Sequence, residues 1–205
     1  LMNQRDGVFE YWSHAAAILP MADYRFTLYR KHRLHSGANL WFRRDDRTLR
    51  YVRDRMTAEG PLAAKDFENP GGKHPGGWWE WKPAKKALEQ LFLDGTLMVK
   101  ERRGFQKVFD LTERVLPDGV DQRVPDRDEL VQWIIRSSLR AHGIATLPEI
   151  AYAFPRLKPA IQTALREMME TGLVAPCRIH GDASTRYYCL SDDIENAMRI
   201  RYAQI

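Results

Sequence analysis

The sequence predicts an α+β, mainly helical fold in which a small helical unit with a β-hairpin occurs twice in tandem. The first observation is an internal repeat: Pro83 corresponds to Pro159 and Gly95 to Gly172, an offset of 76 to 77 residues. That offset suits a small domain rather than a solenoid repeat. The second observation is that an apolar strand follows each glycine.

Each copy of the repeat is predicted to form a helix, over Lys82–Asp94 and Lys158–Thr171. Proline is tolerated at the start of a helix, because the N–H that it lacks would have no partner there. Glycine ends a helix because it adopts the left-handed conformation readily. Apolar residues recur at helical spacing in the first copy: Ala84, Ala87, Leu88, Leu91 and Phe92.

The flanking elements also repeat. A longer helix and a short helix are predicted before each copy, over 49–58 and 63–67 in the first and over 129–139 and 147–154 in the second. Two strands follow each copy, over 96–102 and 106–111, and over 173–179 and 186–190. This is the order of a winged helix, a helix-turn-helix fold whose third helix enters the major groove and whose hairpin forms the wing.

Composition sets the boundaries. Residues 116–125 have no helical period and contain Pro, Gly and Asp, which is typical of a linker. We therefore predict a first winged-helix unit over 47–117, a linker over 118–125 and a second unit over 126–191. Residues 1–46 are interpreted as the end of a larger N-terminal region, and 192–205 as a helix leading to a further C-terminal region.

Bulk composition narrows the class of protein. With 44% hydrophobic and 29% charged residues, the chain has the balance of a soluble globular protein. No apolar run approaches the ~20 residues that a membrane-spanning helix needs. The polar start shows no signal peptide, and two cysteines suggest a reducing compartment. We expect a cytoplasmic protein without a membrane partner.

The net charge of +5 is unevenly distributed. Residues 24–55 contain ten Lys/Arg and three Asp/Glu, which gives +7 and leaves −2 for the remainder. A basic block on a nearly neutral body is typical of a protein that binds phosphates. A solvated helix face explains the same charge run equally well.

Double-stranded DNA is therefore the expected partner. The candidate cations begin the first repeat helix and form the tip of its hairpin: Lys82, Lys85, Lys86, Arg102, Arg103 and Lys107. Trp78, in a run of three tryptophans before the helix, is a further candidate for DNA contact. Core packing is the more common role of tryptophan, and a solvated hairpin is the alternative for the tip.

Few residues suggest cofactor or metal chemistry. Cys177, His180 and Cys189 do not have the paired spacing of a zinc site, and a hairpin turn at 181–185 would place the two cysteines opposite each other. We predict no metal and no cofactor. Glu10 and His14 are four residues apart and would share a face if helical, a spacing that is more often structural than catalytic.

Several longer motifs resemble the YcaQ/AlkZ-type DNA glycosylases. They are Phe9–His14, Gly77–Pro83 and Phe105–Pro117, and similarity extends to Gly60–Phe67 and Arg136–Gly143. The resemblance implies tandem winged helices and the excision of alkylated bases, including interstrand crosslinks. It implies hydrolysis of an N-glycosidic bond, with a carboxylate or amide stabilising positive charge on the sugar.

The resemblance also bears on catalysis. Glu10 and His14 match a family motif close to the catalytic cleft, which makes them candidate catalytic residues. The family's Gln-x-Asp or Gln-x-Gln motif belongs well upstream of this segment, and we interpret this chain as the central part of such an enzyme. The Gln4-Arg5-Asp6 segment imitates the motif, but Arg5 is not apolar, and we interpret it as a coincidence.

A non-enzymatic winged-helix protein, such as a transcriptional regulator, is the alternative function. A regulator is expected to dimerise and to prefer one sequence, often a palindrome. A repair module is expected to be monomeric and indifferent to sequence, and we expect a monomer here.

We expect the 205-residue chain to release no alkylated base from DNA, because its sequence lacks the family's catalytic motif. A gel assay for abasic sites on methylated and crosslinked duplexes tests this expectation. Release that disappears in Gln4→Ala or Asp6→Ala would show that the segment at residues 4–6 is functional.

Overall fold

A computed structural model describes residues 7–13, 15–36, 44–67 and 83–194. Contacts divide the chain into two compact units, a first unit over Leu1–Val124 and a second unit over Pro125–Ile205. The sequence analysis separated residues 1–46 and the linker from the first winged-helix unit. In the structure, the described residues up to Val124 belong to the first unit, and the second unit begins with Pro125, the last residue of the predicted linker.

The first unit begins with an antiparallel hairpin of β1 (Val8–Trp12) and β2 (Ala16–Pro20). A short 3-10 helix (Met21–Asp23) leads into α1 (Tyr24–His35). Side chains alternate along β1, since Phe9 and Tyr11 are buried while Glu10 points to the other face. This hairpin is therefore amphipathic and packs one face against the rest of the unit.

The remainder of the first unit has a helical part and a three-stranded sheet. The elements in chain order are α2 (Asp46–Glu59), β3 (Leu62–Ala63), a 3-10 helix (Ala64–Phe67), α3 (Pro83–Leu93), β4 (Leu97–Arg103), β5 (Gln106–Leu111) and α4 (Thr112–Val115). The sheet is antiparallel with the order β3-β5-β4. Asp45 caps α2 by accepting a hydrogen bond from the Thr48 backbone N–H at 3.2 Å.

One hydrophobic core joins the N-terminal hairpin to the helices and the sheet. An aromatic column runs through it, with ring centroids 5.7 Å apart between Tyr11 and Phe92 and 5.8 Å apart between Phe92 and Phe109. The Tyr11 hydroxyl donates a hydrogen bond to the Leu93 carbonyl at 2.8 Å. The hairpin is thus tied to α3 by both apolar and polar contacts.

Lys31 of α1 is buried in this core. Its ammonium lies 3.9 Å from the ring centroid of Tyr24, 4.7 Å from that of Tyr11 and 5.6 Å from that of Phe9. Burial lowers the pKa of Lys31 to about 7, while the three ring faces favour the charged form. The Lys31 stem passes beside Gly95, so the turn that follows α3 packs against the second half of α1.

A buried carboxylate fastens the sheet to α2. Asp110 of β5 is 2% exposed, and it lies 3.4 Å from the Lys100 ammonium and 3.6 Å from the Arg114 guanidinium. Arg114 also donates to the backbone carbonyls of Met56 and Thr57 in the last turn of α2. A cation at this end of a helix is favourable because the last carbonyls lack intrahelical partners.

The second unit repeats this order of elements. They are α5 (Arg127–His142), β6 (Ile144–Ala145), α6 (Leu147–Ile150), a 3-10 helix (Pro155–Leu157), α7 (Lys158–Glu170), β7 (Val174–Ile179) and β8 (Asp182–Leu190). Its sheet has the order β6-β8-β7, which corresponds to β3-β5-β4 of the first unit. Reciprocal Asp126–Glu129 and Thr146–Glu149 hydrogen bonds begin α5 and α6.

The repeat predicted the main elements well. Pro83 begins α3, Pro159 is the second residue of α7, and a strand follows each repeat glycine. Elements outside the repeated pattern were not predicted: β1, β2, α1, α4 and the short strands β3 and β6. The chain is a mixed α/β protein with antiparallel sheets in both units.

The second hairpin differs from its prediction. It turns at His180–Gly181, because Ile179 pairs with Asp182, and β8 starts four residues earlier than the predicted strand at Arg186. Cys177 therefore pairs with Tyr187, and Cys189 pairs with Ala175. The prediction that the two cysteines lie directly opposite each other is wrong, since they are diagonal neighbours.

Gly95→Ala should destabilise the protein more than Gly104→Ala. Both glycines have positive φ angles, +84° and +62°, so alanine costs about 1–2 kcal/mol at either site. A Cβ on Gly95 would also lie 2.8 Å from Cδ of Lys31, whereas Gly104 has nothing within 4 Å. We expect an additional loss of about 1–3 kcal/mol for Gly95→Ala. Urea denaturation of both variants measures the free energy of unfolding. Equal losses of stability would contradict the close contact between Gly95 and Lys31.

Candidate nucleic-acid interface

The predicted DNA-binding residues within the described ranges lie on α3 and on the β4–β5 hairpin. Lys85 and Lys86 are in the first turn of α3, Arg102 and Arg103 end β4, and Lys107 is near the start of β5. Lys82, Trp78 and His14 lie outside the described residues. The structure therefore locates five of the six predicted cations.

Glu10 of β1 contacts two of these cations. Its Oε1 is 2.8 Å from Nη2 of Arg102, and its Oε2 is 2.9 Å from Nε, which makes the pair bidentate. Its Oε1 is also 3.2 Å from Nζ of Lys107. The sequence analysis treated Glu10 and the hairpin cations as separate sites, but the structure brings them together.

The electrostatics of this cluster favour ionised groups. Partial burial raises the pKa of Glu10, but the hydrogen bonds from Arg102 and the charge of Lys107 outweigh it and hold the pKa below its usual range. The Arg102 pKa is raised by its hydrogen bonds to Glu10. Glu10 is therefore a carboxylate at neutral pH and a poor general acid.

The remaining predicted cations are arranged differently. Arg103 pairs with Glu101 on its own strand, with Nη2 2.7 Å from Oε1. Lys107 places its ammonium 4.5 Å from the Phe92 ring centroid in addition to contacting Glu10. Lys85 and Lys107 line one groove of about 380 Å³ between α3 and the hairpin, together with Lys65, Glu89 and Phe105.

Phe105 is the residue that sequence reasoning missed. It occupies the turn of the β4–β5 hairpin beside Gly104, and 99% of its surface is exposed. The available signal was an aromatic residue next to a glycine in a predicted turn, within an otherwise polar segment. Because the Phe105 side chain is not buried, it does not contribute to the hydrophobic core, and its presence at this position suggests another role.

Four cations of the basic block at residues 24–55 are held by contacts within the first unit. Lys31 is buried, and Arg30 donates to the backbone carbonyls of Trp12 and Ser13. Arg25 lies 3.2 Å from Asp121, and Arg55 forms a bidentate pair with Glu59. The block is therefore not one continuous phosphate-binding surface.

A second cavity lies between the two hairpins of the first unit. It has a volume of about 540 Å³ and is lined by apolar residues of β1 and β2 and by the polar edge of β4. Glu10 and Arg102 form part of its wall.

Within the described residues, no group of three or more His, Cys, Asp or Glu side chains could hold a metal ion. The described helices are too short or too polar to cross a membrane.

A family profile described as DNA glycosylase AlkZ-like matches residues 3–201. The chain belongs to the AlkZ-like DNA glycosylase family. The DNA glycosylase AlkZ of Streptomyces sahachiroi is a similar solved structure, with a TM-score of 0.55 at 14% sequence identity. The likeness covers 97% of this chain and 56% of that one.

Membership of the AlkZ-like family agrees with the resemblance noted in the sequence. At 14% identity the solved AlkZ structure supports the fold and does not transfer residue roles. This AlkZ-like chain spans just over half of the length of that relative.

Glu10→Gln should lower stability at neutral pH and leave it almost unchanged in acid. The folded-state pKa of Glu10 is below its ordinary value of 4.5. The ionised carboxylate therefore stabilises the fold above that value, and this contribution is lost as the pH falls through the folded-state pKa. Urea denaturation between neutral and acid pH measures the difference between variant and unmodified chain.

Glu101→Gln is the matched control, because Glu101 also pairs with an arginine of the hairpin but its side chain is 45% exposed. We expect little effect on stability from this exposed pair. If the loss of stability caused by Glu10→Gln is the same at neutral and at acid pH, the Glu10 carboxylate does not stabilise the fold through its charge.

Proposed function

We propose that this chain forms the DNA-binding part of a DNA glycosylase that excises alkylated or crosslinked bases from double-stranded DNA. We also propose that each unit is a winged helix. Each has a helix, a short helical segment, a second long helix and a hairpin, with a short strand completing the sheet. In such a fold α3 and α7 are the recognition helices and the hairpins are the wings.

The groove between α3 and the β4–β5 hairpin carries the proposal. The recognition helix contributes Lys85 and the wing contributes Lys107, and both line the same groove of about 380 Å³. Cations presented jointly by these two elements suit the phosphates of a duplex, which supply most of the sequence-independent affinity for DNA. This arrangement fits a repair protein that must bind any sequence.

Phe105 supports a role for the wing in DNA distortion. Proteins that bind the minor groove insert apolar side chains between base steps and bend the duplex. Phe105 stands at the hairpin tip, almost fully exposed, between cationic residues of both strands. An enzyme that must reach a damaged base gains from such a wedge, because unstacking is part of exposing the base.

The first unit is proposed to make the main DNA contact. The second recognition helix, α7, presents only Lys158 and Arg166 as cations, and both are exposed. Its wing carries Arg178, His180 and Arg186, without an aromatic residue at the turn. A single chain with two unlike units fits a monomeric repair module better than a dimeric regulator.

The described residues are proposed to hold DNA rather than to hydrolyse the glycosidic bond. Both oxygens of Glu10, the carboxylate that the resemblance placed near the cleft, accept hydrogen bonds from Arg102. A carboxylate that stabilises charge on a sugar must be able to approach it. Glu10 is therefore better suited to a role inside the protein.

Replacing Lys85 and Lys86 together by glutamine should weaken binding to every duplex sequence. Each phosphate contact contributes roughly −0.9 to the slope of log affinity against log salt. We expect the slope to become shallower by up to about two units. Fluorescence anisotropy with labelled duplexes across a salt series measures both quantities.

The control is Arg127→Gln with Arg140→Gln, which removes the same charge from exposed positions on α5. Equal losses for the two double variants would indicate a net-charge effect and contradict a localised site. A loss confined to one DNA sequence would favour a transcriptional regulator instead. A chain that binds no duplex at low salt would refute the proposed function.

A further inference from the structure

Glu10 is the most buried member of an ionic cluster with two cations. The Glu10 side chain is 11% exposed, against 44% for Arg102 and 20% for Lys107. The carboxylate is therefore less accessible than either cation that it contacts. A ligand that approaches the hairpin can reach the Arg102 side chain more readily than Glu10.

The strand register explains why these cations need an anion. Arg102 of β4 and Lys107 of β5 are directly opposite each other in the antiparallel pair. Like charges in this position destabilise a hairpin, because their side chains project from the same face at short range. Glu10 neutralises part of the repulsion and comes from β1, 92 residues away from Arg102 in sequence.

The contacts of Arg102 leave part of its guanidinium available. This group has five N–H donors. Glu10 accepts from Nε and from one N–H of Nη2, and the Phe105 carbonyl accepts from Nη1 at 3.3 Å. Among contacts between the described residues, one N–H on each terminal nitrogen is unused. Each of these N–H groups can donate to a phosphate oxygen.

We infer that Glu10 is a positioning residue that holds Arg102 and Lys107 as a preformed binding site for a DNA backbone phosphate. This role rests on the proposed DNA-binding function and deepens it. Glu10 itself does not touch the DNA in this assignment. It fixes two long side chains before binding, so that their conformational entropy is not lost when the phosphate arrives.

The sign of one substitution separates positioning from simple charge. Glu10→Gln removes a negative charge near the DNA, so a charge effect alone raises affinity. A positioning role predicts a loss of about three- to tenfold, the size expected when one or two long side chains must be ordered on binding. It also predicts a shallower salt slope, because fewer phosphates are contacted.

The experiment is fluorescence anisotropy of the full chain with a labelled duplex across a salt series. Glu101→Gln is the matched control, since it removes the same charge from the same hairpin and also frees an arginine, Arg103. Weaker binding with a shallower slope for Glu10→Gln, and unchanged or tighter binding for Glu101→Gln, is the expected result. Circular dichroism establishes that each variant is folded at the assay temperature.

A second variant keeps the test decisive if Glu10→Gln does not fold. Arg102→Lys retains the charge, but an ammonium cannot hold Glu10 bidentately and present a second pair of donors. We expect the same three- to tenfold loss of affinity for the duplex, because the side chains must again be ordered on binding. Unchanged or tighter binding by the folded variants would overturn the positioning role while leaving the proposed function intact. An unmodified chain that binds no duplex would overturn the proposed function itself.

Discussion

The alternation of side chains along β1 is the constraint on which the first unit depends. Phe9 and Tyr11 point inward to the aromatic core, while Glu10 between them points toward the β4–β5 hairpin. A slip of one residue in this strand would expose both rings and bury the carboxylate without its cations. The register that packs the core therefore also places the carboxylate that contacts Arg102 and Lys107 of the β4–β5 hairpin.

The first unit buries anions and leaves their cationic partners outside. Asp110 is 2% exposed, yet its partners Lys100 and Arg114 are 44% and 40% exposed. Glu10 has the same relation to Arg102 and Lys107. Because each buried carboxylate is neutralised by its partners, the fold tolerates it. In both clusters the cations are more exposed than the carboxylate that they contact.

Local signals predicted the main helices and the hairpins of the two repeats, because proline, glycine and apolar spacing act within a few residues, but they did not predict β1, β2 or α1. The cluster around Glu10 was not predictable in this way, since its partners are more than ninety residues away in sequence. The spacing of Glu10 and His14 suggested a shared helical face, but residues 8–12 form a strand. Charge counting similarly gave no sign that Lys31 is buried among three rings.

Arg102 connects Glu10 of β1 to the turn of the β4–β5 hairpin. The same guanidinium that holds Glu10 donates to the backbone carbonyl of Phe105, so the turn is attached to the cluster. Phe105 makes almost no contact of its own, being 99% exposed, and its position depends on that attachment and on the glycine before it. An aromatic side chain can act as a wedge only if its backbone resists being pushed back. In the proposed wedge role, the hydrogen bond from Arg102 contributes to that resistance, and Glu10 of β1, which holds Arg102, is thereby linked to the hairpin tip.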